Sequence, residues 1–417
     1  MHKNCLYICY FGLREPLVQT QVLPYIREIK KLPEVRMNLI TFEPDFKEKW
    51  TSEQVAQQKA ELLEENIDWF VLPYHKTPSV PATAYDILNG ARKIRKIINK
   101  KQIELLHARV HVPALMAALG RKYAKHKPKL LFDIRGFFPE EYTDAGRWTK
   151  DGKLYKTVKK VEGWLLKESD GFVVLTEKAR EILFPNSRKS GLDENGRPVE
   201  VIPCCVDLNK FDIDFESSRR EMREKIGADS EQQVIAYVGS FGGYYLTDET
   251  ADFYRIAKAR DPKTFALILT QSDPEMILPK LRESGYTEKD VFIKKVKPKE
   301  IPNYLSSADF ALSFIKPSYS KLASSPTKNA EYLACGLPMI ANSKVGDTAE
   351  HISENNVGVV LDDFSDEDLI DAYEKIEKLK ENNELAKRCR ITAESLFDLE
   401  KVGGEKYRRI YKRLLNL

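Results

Sequence analysis

Residues 324–343 read SSPTKNAEYLACGLPMIANS. Ser325 is a residue type that caps helices and Pro326 suits a first helical position, so the stretch predicts a helix starting here. Gly336 and Pro338 close it, and the apolar run 337–341 predicts a short buried strand directly after. A helix start presents unpaired backbone N–H groups and about half a positive charge, which suits an anion. Ser324, Ser325 and Thr327 add hydroxyls and Lys328 adds a full positive charge, a set fitted to a phosphate or diphosphate. Glu331 follows Lys328 by three residues and Thr327 by four, so all three share one helix face. A carboxylate there accepts two hydrogen bonds from a ribose diol, and phosphate with ribose describes a nucleotide. A capped helix carrying an ordinary Lys–Glu pair accounts for the same residues equally well.

The same strand-then-helix alternation runs through all 417 residues, which predicts α/β domains with parallel sheets. Seven candidate strands lie in the first half: CLYICYF, RMNLITF, WFVLPY, LLHARV, KLLFDIRG, GFVVLTE and VEVIPCCV. Six lie in the second: QVIAYVGSF, FALILTQ, VFIKKV, FALSFI, PMIAN and GVVLD. The chain is too long for one core, and two domains of ~200 residues are expected. The loop DENGRPVEVIPCCVDLNKFD places the boundary near residue 207, giving domains 1–206 and 207–392. A basic helix over 393–417 completes the chain, with Tyr407, Ile410, Tyr411 and Leu414 on one face.

Apolar residues make up 42% of the chain and charged ones 31%, the balance of a soluble globular protein. No apolar run approaches the ~18 residues of a membrane helix. Six cysteines show no CxxC pair and no zinc spacing, which predicts reduced, cytosolic thiols. Net charge is +4, yet between Arg92 and Lys129 twelve Lys/Arg stand against the single acid Glu104, a local +11. Solvated helix faces explain this, as does a surface for an anionic membrane, where each cation contributes ~1 kcal/mol. No recognition motif or aromatic platform accompanies the charge, so nucleic acid is not expected.

EYLACGLPMIAN resembles the nucleotide-binding signature of retaining glycosyltransferases of family 4. Further stretches resemble the branch of that family found in bacterial surface-polysaccharide synthesis, in the family's order: PLVQTQVLPYIREI (16–29), HARVHVPAL (107–115), FDIRGFFPEEYTDAGRW (132–148), VVLTEKA (173–179), VIPCCVDLNKF (201–211), YVGSFGGYY (237–245) and 307–338. The resemblance implies the GT-B fold: two Rossmann-like, doubly wound domains facing a cleft, with the C-terminal helix returning to the first. It implies a sugar moved from a nucleotide-sugar to a glycan or lipid-linked acceptor, with Glu331 on the ribose. Two departures stand out. The position of the family's first glutamate holds Ala323, and the Arg/Lys pair after the second domain's first strand is replaced by Gly239, Ser240, Phe241, Gly242 and Gly243. Lys328, helped by Lys321, then carries most of the diphosphate's charge.

In the first domain, Arg135 stands near the place of a histidine that touches the donor sugar in relatives. A polar role beside Asp133 and a plain buried ion pair are both open. His107, Arg109 and His111 alternate along HARVH and, if extended, point to one side, which favours ligand contact. Arg135, Lys328 and His111 are thus the candidate catalytic residues. Gly12, Arg14, Arg109 and Glu140 are the candidates for acceptor contact, Glu140 in a loop that is otherwise read as solvated. No metal motif is placed and no cofactor beyond the donor substrate is expected. A cytoplasmic enzyme, peripheral on the inner face of the membrane through 92–129, is the resulting expectation. A catalytically silent nucleotide- or glycan-binding subunit and a sugar-nucleotide epimerase of the same fold are the alternatives.

Overall fold

The computed structural model describes residues 2–417. They divide into two compact units, one running through Pro203 and resuming at Val402–Leu417, the other Cys204–Lys401. Among the described residues the first unit has seven strands: β1 (Lys3–Ile8), β2 (Val35–Pro44), β3 (Ile67–Tyr74), β4 (Ile103–Arg109), β5 (Lys129–Asp133), β6 (Gly171–Val174) and β7 (Val199–Val201). The second has six: β8 (Val234–Val238), β9 (Phe265–Leu269), β10 (Val291–Lys294), β11 (Phe310–Ser313), β12 (Met339–Asn342) and β13 (Gly358–Leu361). Each candidate strand of the sequence is present.

Every strand pair is parallel, in the orders β3-β2-β1-β4-β5-β6-β7 and β10-β9-β8-β11-β12-β13. Both are doubly wound, with the order reversing between β1 and β4 and again between β8 and β11. Helices cover both faces, so central strands are apolar throughout rather than alternating. In the second unit Val234, Ala236, Leu267 and Ala311 belong to one core, while Ile235, Tyr237, Ala266 and Leu312 belong to the other. Ligands of such sheets sit beyond the carboxyl ends of the strands where the order reverses.

The units meet at 203/204 and 401/402, not at 206/207 and 392/393. Val206 bonds through its N–H to the Phe397 carbonyl and through its carbonyl to the Leu399 N–H, which ties this stretch to the second unit. The single helix expected over 393–417 is two. Leu385–Phe397 ends where Asp398 turns extended, a wide turn follows over Leu399–Gly404, and Glu405–Leu415 packs on the first unit. Tyr407, Ile410, Tyr411 and Leu414 are buried there, as their spacing requires. Arg409 holds Glu200 through two bonds of 2.7 and 2.6 Å, and Arg408 reaches Glu28 at 2.7 Å.

The +11 stretch is less charged outwardly than its sequence. Arg109 and Arg121 are buried, Lys101 pairs with Asp68, and Lys129 and Arg121 share Asp170. Arg92, Arg95, Lys96, Lys100, Lys122 and Lys125 stay exposed. No helix among the described residues is long and apolar enough to cross a membrane.

Candidate active site

The helix opened by SSPTK spans Thr327–Ala334. Its second-turn residue Tyr332 is fully buried, and its hydroxyl accepts the Val238 N–H at the end of β8 (2.8 Å) and donates to the Leu312 carbonyl in β11 (3.2 Å). That hydroxyl pins the helix over the reversal point between the two strands. One turn earlier, on the same face, stands Lys328. Its Nζ lies 3.5 Å from where a Cβ on Gly239 would be, so the lysine and the glycine loop converge on one spot.

Lys328 is only 7% exposed and its ammonium has no hydrogen-bond partner. Around it are the ring faces of Tyr237 (4.5 Å) and Tyr245 (5.1 Å), which favour a cation electrostatically but give it no acceptor. Burial pushes Lys328 down to about 7, against the pull of Glu331. Burial likewise pushes the half-buried Glu331 up to about 7, against the pull of Lys328, and its carboxylate makes no hydrogen bond among the described residues. A buried charge without a partner is costly unless something arrives to neutralise it. An anion beside Lys328 and a hydroxyl donor beside Glu331 would satisfy both groups.

The remaining donor-side candidates fall around this pair. In the glycine loop, Gly239 has φ +149°, Gly242 +74° and Gly243 +63°, conformations that L side chains rarely adopt. The amides of Gly239, Phe241 and Gly242 are already bonded to the Leu269 carbonyl, Ser272 Oγ and Thr247 Oγ1, leaving those of Ser240 and Gly243 outside this set. Phe241 stacks on Tyr237 at 4.8 Å, which sets the wall behind Lys328. Ser324 and Thr327 are half-buried at the helix start. Ser325 does not cap the helix: Pro326 takes that position without a side-chain bond, and Ser325 Oγ accepts the Cys204 N–H at 3.1 Å. Lys321 sits over the Tyr244 ring at 3.7 Å.

In the first unit the structure gathers His107, Arg109, Asp133 and Arg135 but not His111. Asp133 is fully buried; Tyr407 of the returning helix donates to its Oδ2 at 2.9 Å, and His107 Nε2 lies 3.4 Å from it. Arg109 Nη1 is 3.7 Å and Arg135 Nη1 3.9 Å from the carboxylate. Burial would raise the Asp133 carboxyl, but Arg135, the His107 bond and Arg109 outweigh it and hold it below the ordinary range. Arg135 carries a φ of +23° at the carboxyl end of β5, a strained backbone of the kind found at functional sites. The alternation read along HARVH fails at Val110, whose φ of +64° breaks the strand. His111 opens the next helix, buried between Phe132 and Phe138, with Nε2 2.9 Å from Glu162.

The acceptor-side candidates have mostly internal partners. Gly12 is enclosed, since a Cβ there would meet Pro44 at 2.8 Å and the buried Glu43 at 2.9 Å. Glu140 is turned inward to Tyr155 and Lys159, each at 3.0 Å, in place of the solvated loop residue expected. Arg109 is buried as above. Arg14 is exposed, its guanidinium 3.6 Å from the Trp50 ring centre.

Comparison with known proteins bears on this geometry. The family model for glycosyl transferases group 1 matches residues 218–395, and the model for glycosyltransferase family 4 matches residues 51–210. The chain is a family 4-type glycosyltransferase. Among solved structures it is similar to a glycosyltransferase from Rickettsia africae (18% identity, 99% of each chain, TM-score 0.68). It is similar to sucrose-phosphate synthase from Thermosynechococcus elongatus (15%, 100% of each chain, 0.68) and to HepE from Anabaena in complex with UDP-glucose (13%, 100% of each chain, 0.67). These likenesses establish the GT-B fold. No curated protein matches the chain.

In this glycosyltransferase Ala323 is buried at the end of the short turn Tyr319–Ala323, so that position offers no polar group. Tyr237, Tyr245 and Tyr332 are residues the sequence reading passed over. They stand within YVGSFGGYY and EYLACGLP, and the tyrosines flanking the glycine loop were the available signal.

Proposed function

We propose that the protein transfers a sugar from a nucleotide-sugar to a glycan or lipid-linked acceptor with retention of configuration, in cell-surface polysaccharide synthesis. The observation that carries the donor side is the buried, unpartnered Lys328 ammonium beside Gly239. Lys328 neutralises the diphosphate, helped by Ser324, Ser325, Thr327 and the glycine loop, and Glu331 takes the ribose diol. HepE binds UDP-glucose on a similar fold, which supports the same donor class here. Stabilising the departing diphosphate is the dominant catalytic contribution. The sugar's bond to the phosphate oxygen breaks as its bond to the acceptor oxygen forms on the same face. The acceptor's proton passes to the leaving phosphate oxygen, so no enzyme base is required. Ala323 offers the donor sugar no carboxylate, Arg135 is the first unit's candidate for a polar role toward that sugar, and the reaction needs no metal. The exposed cations of 92–129 hold the enzyme peripherally on an anionic cytoplasmic membrane face.

Thermal-shift titration with UDP, GDP, ADP and CMP tests the donor reading. One nucleotide is expected to stabilise the protein by about 2.7 kcal/mol at 100 times its dissociation constant, and Lys328→Ala abolishes the effect. Absence of any shift overturns it. Incubating the matching nucleotide-sugar without acceptor separates transfer from epimerisation, since only an epimerase converts it to an isomer.

A further inference from the structure

Several buried carboxylates lie outside the donor reading, and one of them holds a surface histidine. Asp86, in the helix Ser79–Lys101, is fully buried in the first unit. Its oxygens take three bonds: Oδ1 from His75 Nδ1 at 2.5 Å, and Oδ2 from the Tyr10 hydroxyl at 2.7 Å and the His75 backbone N–H at 2.9 Å. A carboxylate accepts only, so Nδ1 carries a ring proton, and in the neutral imidazole Nε2 keeps its lone pair. The His75 side chain is 41% exposed, and Nε2 has no partner among the described residues. Burying a carboxylate costs several kcal/mol. Here three donors offset that cost, and two of them come from His75, which fixes the direction of its half-exposed imidazole.

The surroundings are aromatic. Tyr85, 55% exposed, stands edge-on to His75 with ring centres 5.1 Å apart. Tyr74 and Tyr10, both half-buried, meet at 5.1 Å. Tyr74 ends β3, His75 follows it, and Tyr10 lies two residues past β1, so the cluster occupies the carboxyl edge of the first sheet. An apolar ring surface beside one oriented hydrogen-bond acceptor suits a sugar: C–H groups rest on the ring while a hydroxyl donates to the imidazole.

We propose that His75, fixed by Asp86 and flanked by Tyr85, with Tyr10 bonded to the same carboxylate, is an acceptor subsite for a hexopyranoside. The choice of ligand rests on the glycosyl-transfer reading, but the subsite is independent of Lys328. His75 Nε2 receives a sugar hydroxyl, and Tyr85 presents its ring to the pyranose face.

The test uses the full chain labelled with nitrogen-15 at histidine and a panel of p-nitrophenyl glucosides, galactosides and mannosides. His75 is expected to show the Nδ1-protonated pattern, identified by its loss in His75→Phe, and at least one glycoside shifts its Nε2 resonance. His75→Phe and Tyr85→Ala, both at exposed side chains, weaken that glycoside at least tenfold, and Asp86→Asn changes the tautomer pattern. The proposal is overturned if no glycoside moves the His75 resonances, or if His75→Phe binds the glycoside as the wild type does. It is also overturned if anionic phospholipid vesicles alone perturb His75, which makes the cluster a lipid contact. Wild-type protein that gains no thermal shift from any nucleotide fails the donor reading and leaves these outcomes legible.

Discussion

At the scale of single residues, Lys328 and Glu331 make opposite demands of pH. Lys328 is pushed down to about 7, so on the proposed donor reading a nucleoside diphosphate would lose its ammonium partner as pH rises through 7. Glu331 is pushed up to about 7, so on the same reading the ribose would lose its carboxylate as pH falls through 7. Donor affinity is therefore expected to be bell-shaped about neutrality by isothermal calorimetry, and Glu331→Gln removes the acid limb only. Stability of the empty protein runs the other way. Between 7 and the ordinary lysine value of 10.5 the unfolded chain binds the Lys328 proton more readily, so stability climbs with pH there. Between the ordinary 4.5 and 7 the folded chain holds the Glu331 proton, so stability declines as pH rises there. These two groups leave the empty protein least stable near neutrality, where donor binding is expected to be tightest. Lys328→Met is expected to raise the unfolding midpoint at pH 7 and to cut turnover roughly 100-fold or more. An unchanged turnover refutes its assignment.

At the scale of the element, the helix Thr327–Ala334 is held in place because Tyr332, one turn after Lys328, bonds to two strands. Tyr332→Phe leaves the Val238 N–H buried and unpaired, at about 1–3 kcal/mol by urea denaturation. The helix that carries Lys328 loosens with it, so donor affinity is expected to fall in the same variant by calorimetry. Gly239→Ala meets a φ of +149° and places a methyl 3.5 Å from Lys328 Nζ. It is expected to weaken the nucleotide in calorimetry more than it lowers the unfolding midpoint. Ser325 and His111 show where local spacing misleads. Ser325 has the chemistry of a cap, yet Pro326 occupies that position and the hydroxyl serves Cys204. His111 has the alternation of a strand, yet Val110 takes a φ that ends the strand before it.

At the scale of the molecule, the returning helix Glu405–Leu415 is part of the first unit's core. Tyr411 meets His107 Nδ1 at 2.9 Å, and Tyr407 supplies the nearest bond to Asp133. Tyr407→Phe withdraws that donor from a fully buried carboxylate, a loss of about 1–3 kcal/mol in urea denaturation. Removing Val402–Leu417 altogether is expected to yield aggregated protein by size-exclusion chromatography, because Tyr25 and His107 lose their cover. The exposed cations between Arg92 and Lys125 give a separate outcome: sedimentation with anionic vesicles at low salt that disappears at high salt.

The sequence by itself determined the strands, their parallel class and the family. Strands buried on both faces must be apolar at every position, so runs such as VIAYV and FALIL announce themselves without alignment or coordinates. It also determined the donor candidates around SSPTK, because a helix start, a lysine and a glutamate one turn on are local features set by helical spacing. Only the tertiary structure decided which of these groups lack partners. Lys328 is unpaired because Tyr237 and Tyr245 surround it, Glu140 faces inward because Lys159 lies beside it, and Asp133 is held by a tyrosine 274 residues away. His75 and Asp86 are eleven residues apart with no periodicity linking them. Hydrogen bonds between distant side chains depend on how strands register and helices return, and that information is held in the packing of the whole unit.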